Sequence, residues 1–180
     1  GEQWTLETIP KEEPGVFDML CRADSIGVFQ VESRAQMGLL PRLQPRCFYD
    51  LAIQIALIRP GPIQGGAVHP FVRLKMEKDR VDAENEKRAA RGEEQREMHI
   101  PYPHPVLEKV LKRTLGVPIF QEQLIQMATT IGDCTADEAD TLRRAMGSKR
   151  GLEKIETISK QLYEGMQRHG LDQKQADRIY

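Results

Sequence analysis

Arg143 and Arg144 stand side by side in the run Leu142-Arg143-Arg144-Ala145-Met146, and adjacent guanidiniums suit one chemistry above others, the holding of phosphate oxygens. A guanidinium is planar, permanently charged and fork-shaped, so it matches triphosphate oxygens better than an ammonium group does. At about 100° per residue, Ala139, Leu142, Ala145 and Met146 share a core stripe on a helix, which sets Arg144 roughly opposite that stripe and Arg143 on its flank. Lys149 and Arg150 add positive potential just beyond, with Glu153 as the one offsetting acid. A plainer reading uses the same residues: Asp140, three and four positions earlier, pairs with one arginine and the cluster is a solvated helix face. The residues alone leave both open.

Two further runs place polar groups where a ligand contact is conceivable. Arg59-Pro60-Gly61-Pro62 is a rigid turn, and Gln64-Gly65-Gly66 leaves unencumbered amides able to meet a phosphate or a base edge. A simple Pro/Gly helix stop explains the same residues. In the third run, Gln30, Glu32, Ser33, Arg34 and Gln36 surround the apolar Phe29 and Val31, which fits either a capped turn over the core or a polar face shaped around nucleic acid. Arg59, Gln64, Ser33 and Arg34 are therefore candidates for nucleotide or DNA contact. The four histidines, His69, His99, His104 and His169, lack metal-ligand spacing, and neither a phosphate loop nor a nucleophile signature occurs, so no metal site and no catalytic residue is expected within the chain.

The elements that must carry these residues read as mostly helical, because apolar spacing follows the helix period with little sustained alternation. Pro14 to Arg22 is expected to be a short helix with Phe17, Leu20 and Cys21 on one face. Gly27 to Val31 is a short apolar stretch, the one place where a short strand is expected at most. Ser33 caps a helix ending near Pro41. A buried helix with Phe48, Leu51, Ala52, Ile55 and Ile58 inward must stop before Pro60, since proline disfavours helical geometry in its predecessor. After Pro101 to Pro105, Leu107, Val110, Leu111 and Leu115 predict a helix closed by Gly116, and Glu122 to Ile131 predicts another closed by Gly132. Thr135-Ala136-Asp137-Glu138 is a capping-box pattern opening the helix that bears the arginine pair. Leu152, Ile155, Ile158, Leu162 and Met166 line the next, ended by Gly170, and Asp172 to Tyr180 opens one more.

Composition bounds the reading. The 180 residues suit one domain, and 26 basic against 27 acidic side chains give a net charge of -1, so attraction to DNA must come from a local patch. Residues 73–97 hold eight basic and eight acidic side chains and form a charged surface insertion, either a solvated helix or an excursion. Cys21, Cys47 and Cys134 are odd in number and widely spaced, as reduced packing thiols would be. With neither a leader nor an apolar run of about 18 residues, a cytoplasmic protein is expected.

Taken together, Gly27-Val28-Phe29-Gln30-Val31-Glu32-Ser33-Arg34-Ala35-Gln36-Met37, Arg59-Pro60-Gly61-Pro62-Ile63-Gln64-Gly65-Gly66 and Leu142-Arg143-Arg144-Ala145-Met146-Gly147 resemble, in order and spacing, the fingers region of bacterial family C DNA polymerases. That family comprises the DNA polymerase III alpha subunit and its error-prone DnaE-type paralogue. Val31 before Glu32, and Pro62-Ile63-Gln64-Gly65-Gly66 with Val68-His69-Pro70, look closer to the error-prone form than to the replicative one. The resemblance implies a mainly helical fingers domain whose Arg143 and Arg144, with Lys149 and Arg150, face the phosphates of the incoming dNTP. It implies damage-tolerant synthesis on primer-template DNA in repair, with sliding clamp and accessory proteins recruited through the full-length parent. It also implies that Mg2+ is held by palm aspartates elsewhere in that parent, leaving this stretch inactive by itself. The family joins the flanks of 73–97 by a much shorter loop, so the likeness lapses there. The replicative alpha subunit, a sequence-independent nucleic-acid-binding module and a helical protein-interaction domain are the alternatives.

Overall fold

The structure, a computed structural model, describes the backbone at residues 4, 5, 7–58, 69–146 and 152–179, and the side chains there except at 145, 146 and 152–157. The described residues are mainly helical, as the periodicity requires, and they contain no strand. They group into two compact units, 1–95 and 96–180, each described by itself.

In the first unit, α1 (Pro14–Cys21) opens with proline at its first helical position, where a missing N–H is no loss. It buries Phe17, Leu20 and Cys21. Gly27 to Val31 is a pair of turns, not an extended segment: Gly27 has φ 83° and Gln30 has φ 66°. Side chains hold the reversal, since Ser25 Oγ donates to the Val31 carbonyl at 2.7 Å and the Gly27 N–H donates to the Glu32 carboxylate at 3.0 Å. Val31 is thereby buried, while Phe29 is left 84% exposed.

α2 (Arg34–Leu43) begins at Ser33, whose Oγ accepts from the Gln36 N–H at 3.3 Å. It runs two residues past the expected end at Pro41 because Gln44 closes it in the left-handed region at φ 49°, donating its N–H to the Leu40 carbonyl at 2.9 Å. α3 (Phe48–Leu57) stops before Pro60 as expected, but its inward face is not the apolar one: Ile53 and Gln54 are buried, whereas Phe48 is 72% exposed. The cause is a buried amide pair. Gln54 Nε2 donates to the Gln36 Oε1 at 2.7 Å and to the Gln36 carbonyl at 3.1 Å, which turns a polar residue into the link between α2 and α3. α4 (Pro70–Ala90) is capped by His69 Nδ1, buries Phe71 and Val72 and packs on α2. Most of the charged segment 73–97 is therefore a solvated helix, with non-helical chain from Arg91 to Ile100.

The second unit starts less regularly than its spacing suggests. Residues expected to form one helix form a 3-10 turn (Pro105–Leu107), a single turn of helix α5 (Glu108–Leu111) and a second 3-10 turn (Lys112–Thr114). The break follows from how the segment ends: Leu115 and Gly116 both take positive φ, and a Cβ on Gly116 would lie 3.0 Å from the Pro101 carbonyl oxygen. Gln123 then ties this segment to α6 (Gln121–Ile131), donating to Thr114 Oγ1 at 2.7 Å and accepting from the Ile119 and Phe120 N–H groups. α7 (Ala136–Met146), α8 (Leu152–Arg168) and α9 (Gln173–Ile179) complete the unit. Leu111, Met127, Ile131, Ala139, Leu162 and Met166 meet in its core.

One contact in this core has no slack. A Cβ on Gly165 would lie 2.3 Å from the carbonyl carbon and oxygen of Gly132, and one on Gly132 would lie 2.1 Å from Leu162 Cδ1. The end of α6 and the body of α8 thus meet backbone to backbone. Gly165→Ala is expected to destabilise the second unit by about 1–3 kcal/mol, the usual cost of overpacking, because the obstructing atoms are main chain and cannot rotate aside. Urea denaturation followed by circular dichroism should show a lower midpoint with native helix content before the transition.

Candidate functional site

The arginine pair sits in the last turn of α7, and the start of that helix is secured by the capping box. The Glu138 carboxylate accepts from the Thr135 N–H at 2.7 Å, while Thr135 Oγ1 accepts from the Glu138 N–H at 3.3 Å. Two orphan donors at the helix start are satisfied reciprocally. The same carboxylate accepts from Gln161 Nε2 of α8 at 2.9 Å, so the N-terminus of α7 is pinned to its neighbour. Ala139 is buried and Leu142 packs against the core, which fixes the rotation of α7 and turns the arginines outward as the period demands.

Asp140 takes both arginines. Arg143 donates from Nε at 2.9 Å and from Nη2 at 2.8 Å to Oδ1, and Arg144 Nη2 lies 2.6 Å from Oδ2. The Arg143 side chain is 37% exposed and that of Arg144 73% exposed. A guanidinium carries five N–H donors, and among the described residues two N–H groups of Arg143 and one of Arg144 are engaged. One carboxylate therefore gathers two cations into a forked surface without using up their donors. The Asp140 carboxyl is held below its ordinary value by the hydrogen bond from Arg143, helped by the charges of Arg143 and Arg144.

The other candidates divide. Ser33 is the acceptor that caps α2, Glu32 is spent on the Gly27 amide, and Gln36 is buried against Gln54. These three take the roles of a capped turn over the core. Arg34 is exposed with no ion-pair or hydrogen-bond partner among the described residues, and Gln30 is exposed on its turn. Arg59, Gln64, Lys149 and Arg150 lie outside the described residues. Spacing missed Gln161, which approaches Glu138 from 23 positions away. It also missed Asp133, which holds Arg168 at 3.0 Å and His169 at 3.1 Å across the turn between α6 and α7. No local signal announces either contact. Among the described residues no helix is long and apolar enough to cross a membrane.

A mainly helical module that presents an arginine pair from a capped helix is the class these features define. The chain belongs to the bacterial DNA polymerase III alpha subunit finger domain family, whose model matches residues 1–170. Among curated relatives, it is 59% identical over 180 residues to an error-prone DNA polymerase of Cutibacterium acnes. It is 52% identical over 181 residues to one of Nocardia farcinica and 49% identical over 181 residues to one of Mycolicibacterium paratuberculosis. All of this chain is covered in each case, but only 14% to 15% of the relative's length.

Three carboxyls around α7, those of Asp133, Glu138 and Asp140, are held below their ordinary values of 3.8, 4.5 and 3.8. The leading causes are the His169 hydrogen bond for Asp133, the Thr135 backbone hydrogen bond for Glu138 and the Arg143 hydrogen bond for Asp140. A depressed folded pKa gives stability that is complete above the unfolded value and is lost as pH falls through the folded one. Thermal melts should therefore be flat with respect to these groups above about pH 5 and fall steadily on acidification below the ordinary carboxylate range. Glu138→Gln should shrink that acid-dependent loss.

Proposed function

We propose that this chain is the nucleotide-positioning fingers portion of an error-prone DNA-directed DNA polymerase, acting on primer-template DNA and dNTPs within a full-length parent. The observation that carries the reading is the Asp140-gathered pair Arg143 and Arg144 on a helix anchored at its start. Family membership and the likeness to error-prone DNA polymerases support it. In the transfer reaction, charge develops on the triphosphate as pyrophosphate leaves, and donors already in place stabilise that charge without reorganising. Arg143 and Arg144 supply such donors and orient the triphosphate. Lys149 and Arg150 follow that pair in sequence as further cations for the triphosphate, Arg59, Gln64 and Arg34 are the further candidates for nucleotide or DNA contact, and Ser33 caps the helix that carries Arg34.

Releasing the arginines from Asp140 is cheap. Exposed helical ion pairs are weak, whereas guanidinium–phosphate bonds are charge-assisted at both ends. The Mg2+ ions that nucleotidyl transfer requires belong in this reading to palm carboxylates of the parent. In this reading the stretch alone is inactive, because the carboxylates that perform the transfer belong to the parent. Error-prone synthesis places the parent in DNA repair and translesion synthesis in the cytoplasm, where a sliding clamp and damage-response proteins recruit it.

The test is primer extension by the full-length parent, comparing wild type with Arg143→Ala plus Arg144→Ala under nucleotide titration. A folded double variant should lose about 10²-fold or more in kcat/KM for dNTP, the scale set by removal of one preorganised donor. Unchanged kinetics in a folded protein would make the pair a solvated helix face and remove the positioning role.

A further inference from the structure

The charged segment 73–97 is neutral by count, but the helix α4 within it is not neutral by face. Residues seven apart on an α-helix return to within about 20° of the same direction, so Arg73, Arg80 and Lys87 form one stripe. The buried Phe71 and Val72 and the half-buried Lys75, Lys78, Val81 and Arg88 fall away from it. All three stripe cations are exposed, and none has an ion-pair or hydrogen-bond partner among the described residues. The other cations of the helix behave differently. Lys75 is paired with Asp79 at 2.7 Å, Lys78 with Asp82, and Arg88 with Glu84 at 3.6 Å. The acids are thus spent along the flanks: Glu84 borders the stripe but is turned toward Arg88, and Glu77, exposed and unpaired among the described residues, is the one acid beside it with no such engagement. Between Arg80, Lys87 and Arg91 the small side chain of Ala83 leaves a shallow open depression, with Glu84 on its wall.

We propose that this outward face of α4 binds the phosphate backbone of duplex DNA, a contact separate from the nucleotide-directed arginines of α7. At 1.5 Å per residue the three cations are about 10 Å apart and span about 21 Å, close to six base-pair steps at 3.4 Å each. A rigid line of point charges suits a rigid, regular polyanion. Binding of single strands relies on aromatic platforms for the bases, and this stripe has none: its positions are Arg73, Met76, Arg80, Ala83 and Lys87. A chain with net charge -1 offers DNA no global attraction, so segregating unpaired cations onto one face is how it can bind at all. The face reads no sequence, since phosphate contacts position a protein without specifying bases. The proposal rests on the polymerase reading only for the identity of the polyanion.

The test measures duplex affinity of the full-length parent over a salt series by fluorescence anisotropy. Wild type is compared with Arg73→Gln plus Arg80→Gln plus Lys87→Gln. A control of equal charge loss carries Arg46→Gln, Lys78→Gln and Lys112→Gln, three cations already paired with Asp18, Asp82 and Glu108. Glutamine preserves helix propensity, and circular dichroism checks the fold. Counterion release gives a slope of about -0.9 per duplex phosphate contact in log affinity against log salt. The stripe variant should therefore lose about 2.7 from the slope's magnitude and bind at least about tenfold more weakly at 0.1 M salt. Its dNTP KM at saturating DNA should be unchanged, and the control should move the slope by less than one. An unchanged slope, or an equal change in the control, would overturn the proposal. A single strand of the same length losing as much affinity as the duplex would overturn it too. Arg143→Ala plus Arg144→Ala reports on nucleotide kinetics instead, so either idea can fail while the other stands.

Discussion

The placement of the arginine pair depends on a contact between two glycines. Gly132 ends α6 and Gly165 lies within α8, and neither tolerates a Cβ because the other's backbone, or Leu162, already occupies the space. That approach sets how α6 and α8 cross. α7 packs against both, with Ala139 buried between them and the Glu138–Gln161 hydrogen bond fixing its N-terminal end. Close-packed interiors transmit displacements instead of absorbing them. A shift at this crossing would therefore be carried to the last turn of α7, which bears Arg143 and Arg144.

Electrostatics at that last turn solve a problem of their own. Two adjacent guanidiniums repel, and long side chains lose entropy when held still. Asp140 offsets both effects by accepting from Arg143 and Arg144 at once. The association is an exposed one, weak enough for both arginines to exchange Asp140 for another anion. The stripe on α4 uses the opposite device: Asp79, Asp82 and Glu84 are engaged by flanking cations, and three cations are left without a partner among the described residues. Both surfaces arise in a chain whose charges nearly cancel in total.

Much of the fold is legible wherever the signal is local. Ser33 caps α2, Thr135 and Glu138 form the capping box, and Gly132 and Gly170 end α6 and α8, each from short-range hydrogen bonding that residue types announce. Local reading fails where a distant partner decides. The inward face of α3 is set by Gln54 reaching Gln36, against the apolar spacing of Phe48 and Ile55. The helix expected across Leu107 to Leu115 breaks because Gly116 packs on Pro101. Gly27 to Val31 turns because Ser25 and Glu32 hold the backbone from either side. At the site, the outward direction of Arg143 and Arg144 and the reach of Asp140 follow from helix spacing. Sharing of that one carboxylate by both arginines, and the sorting of α4's cations into paired and unpaired, emerge only from three-dimensional side-chain geometry.

The central claim is that Arg143 and Arg144 serve the triphosphate. Most direct would be a crystal structure of the full-length parent with primer-template DNA and a non-hydrolysable dNTP. The account predicts guanidinium nitrogens of both residues at about 2.7–2.9 Å from phosphate oxygens, with Asp140 either released or retained on the remaining donors. A bound triphosphate elsewhere, with both arginines still facing only Asp140 and solvent, would contradict it.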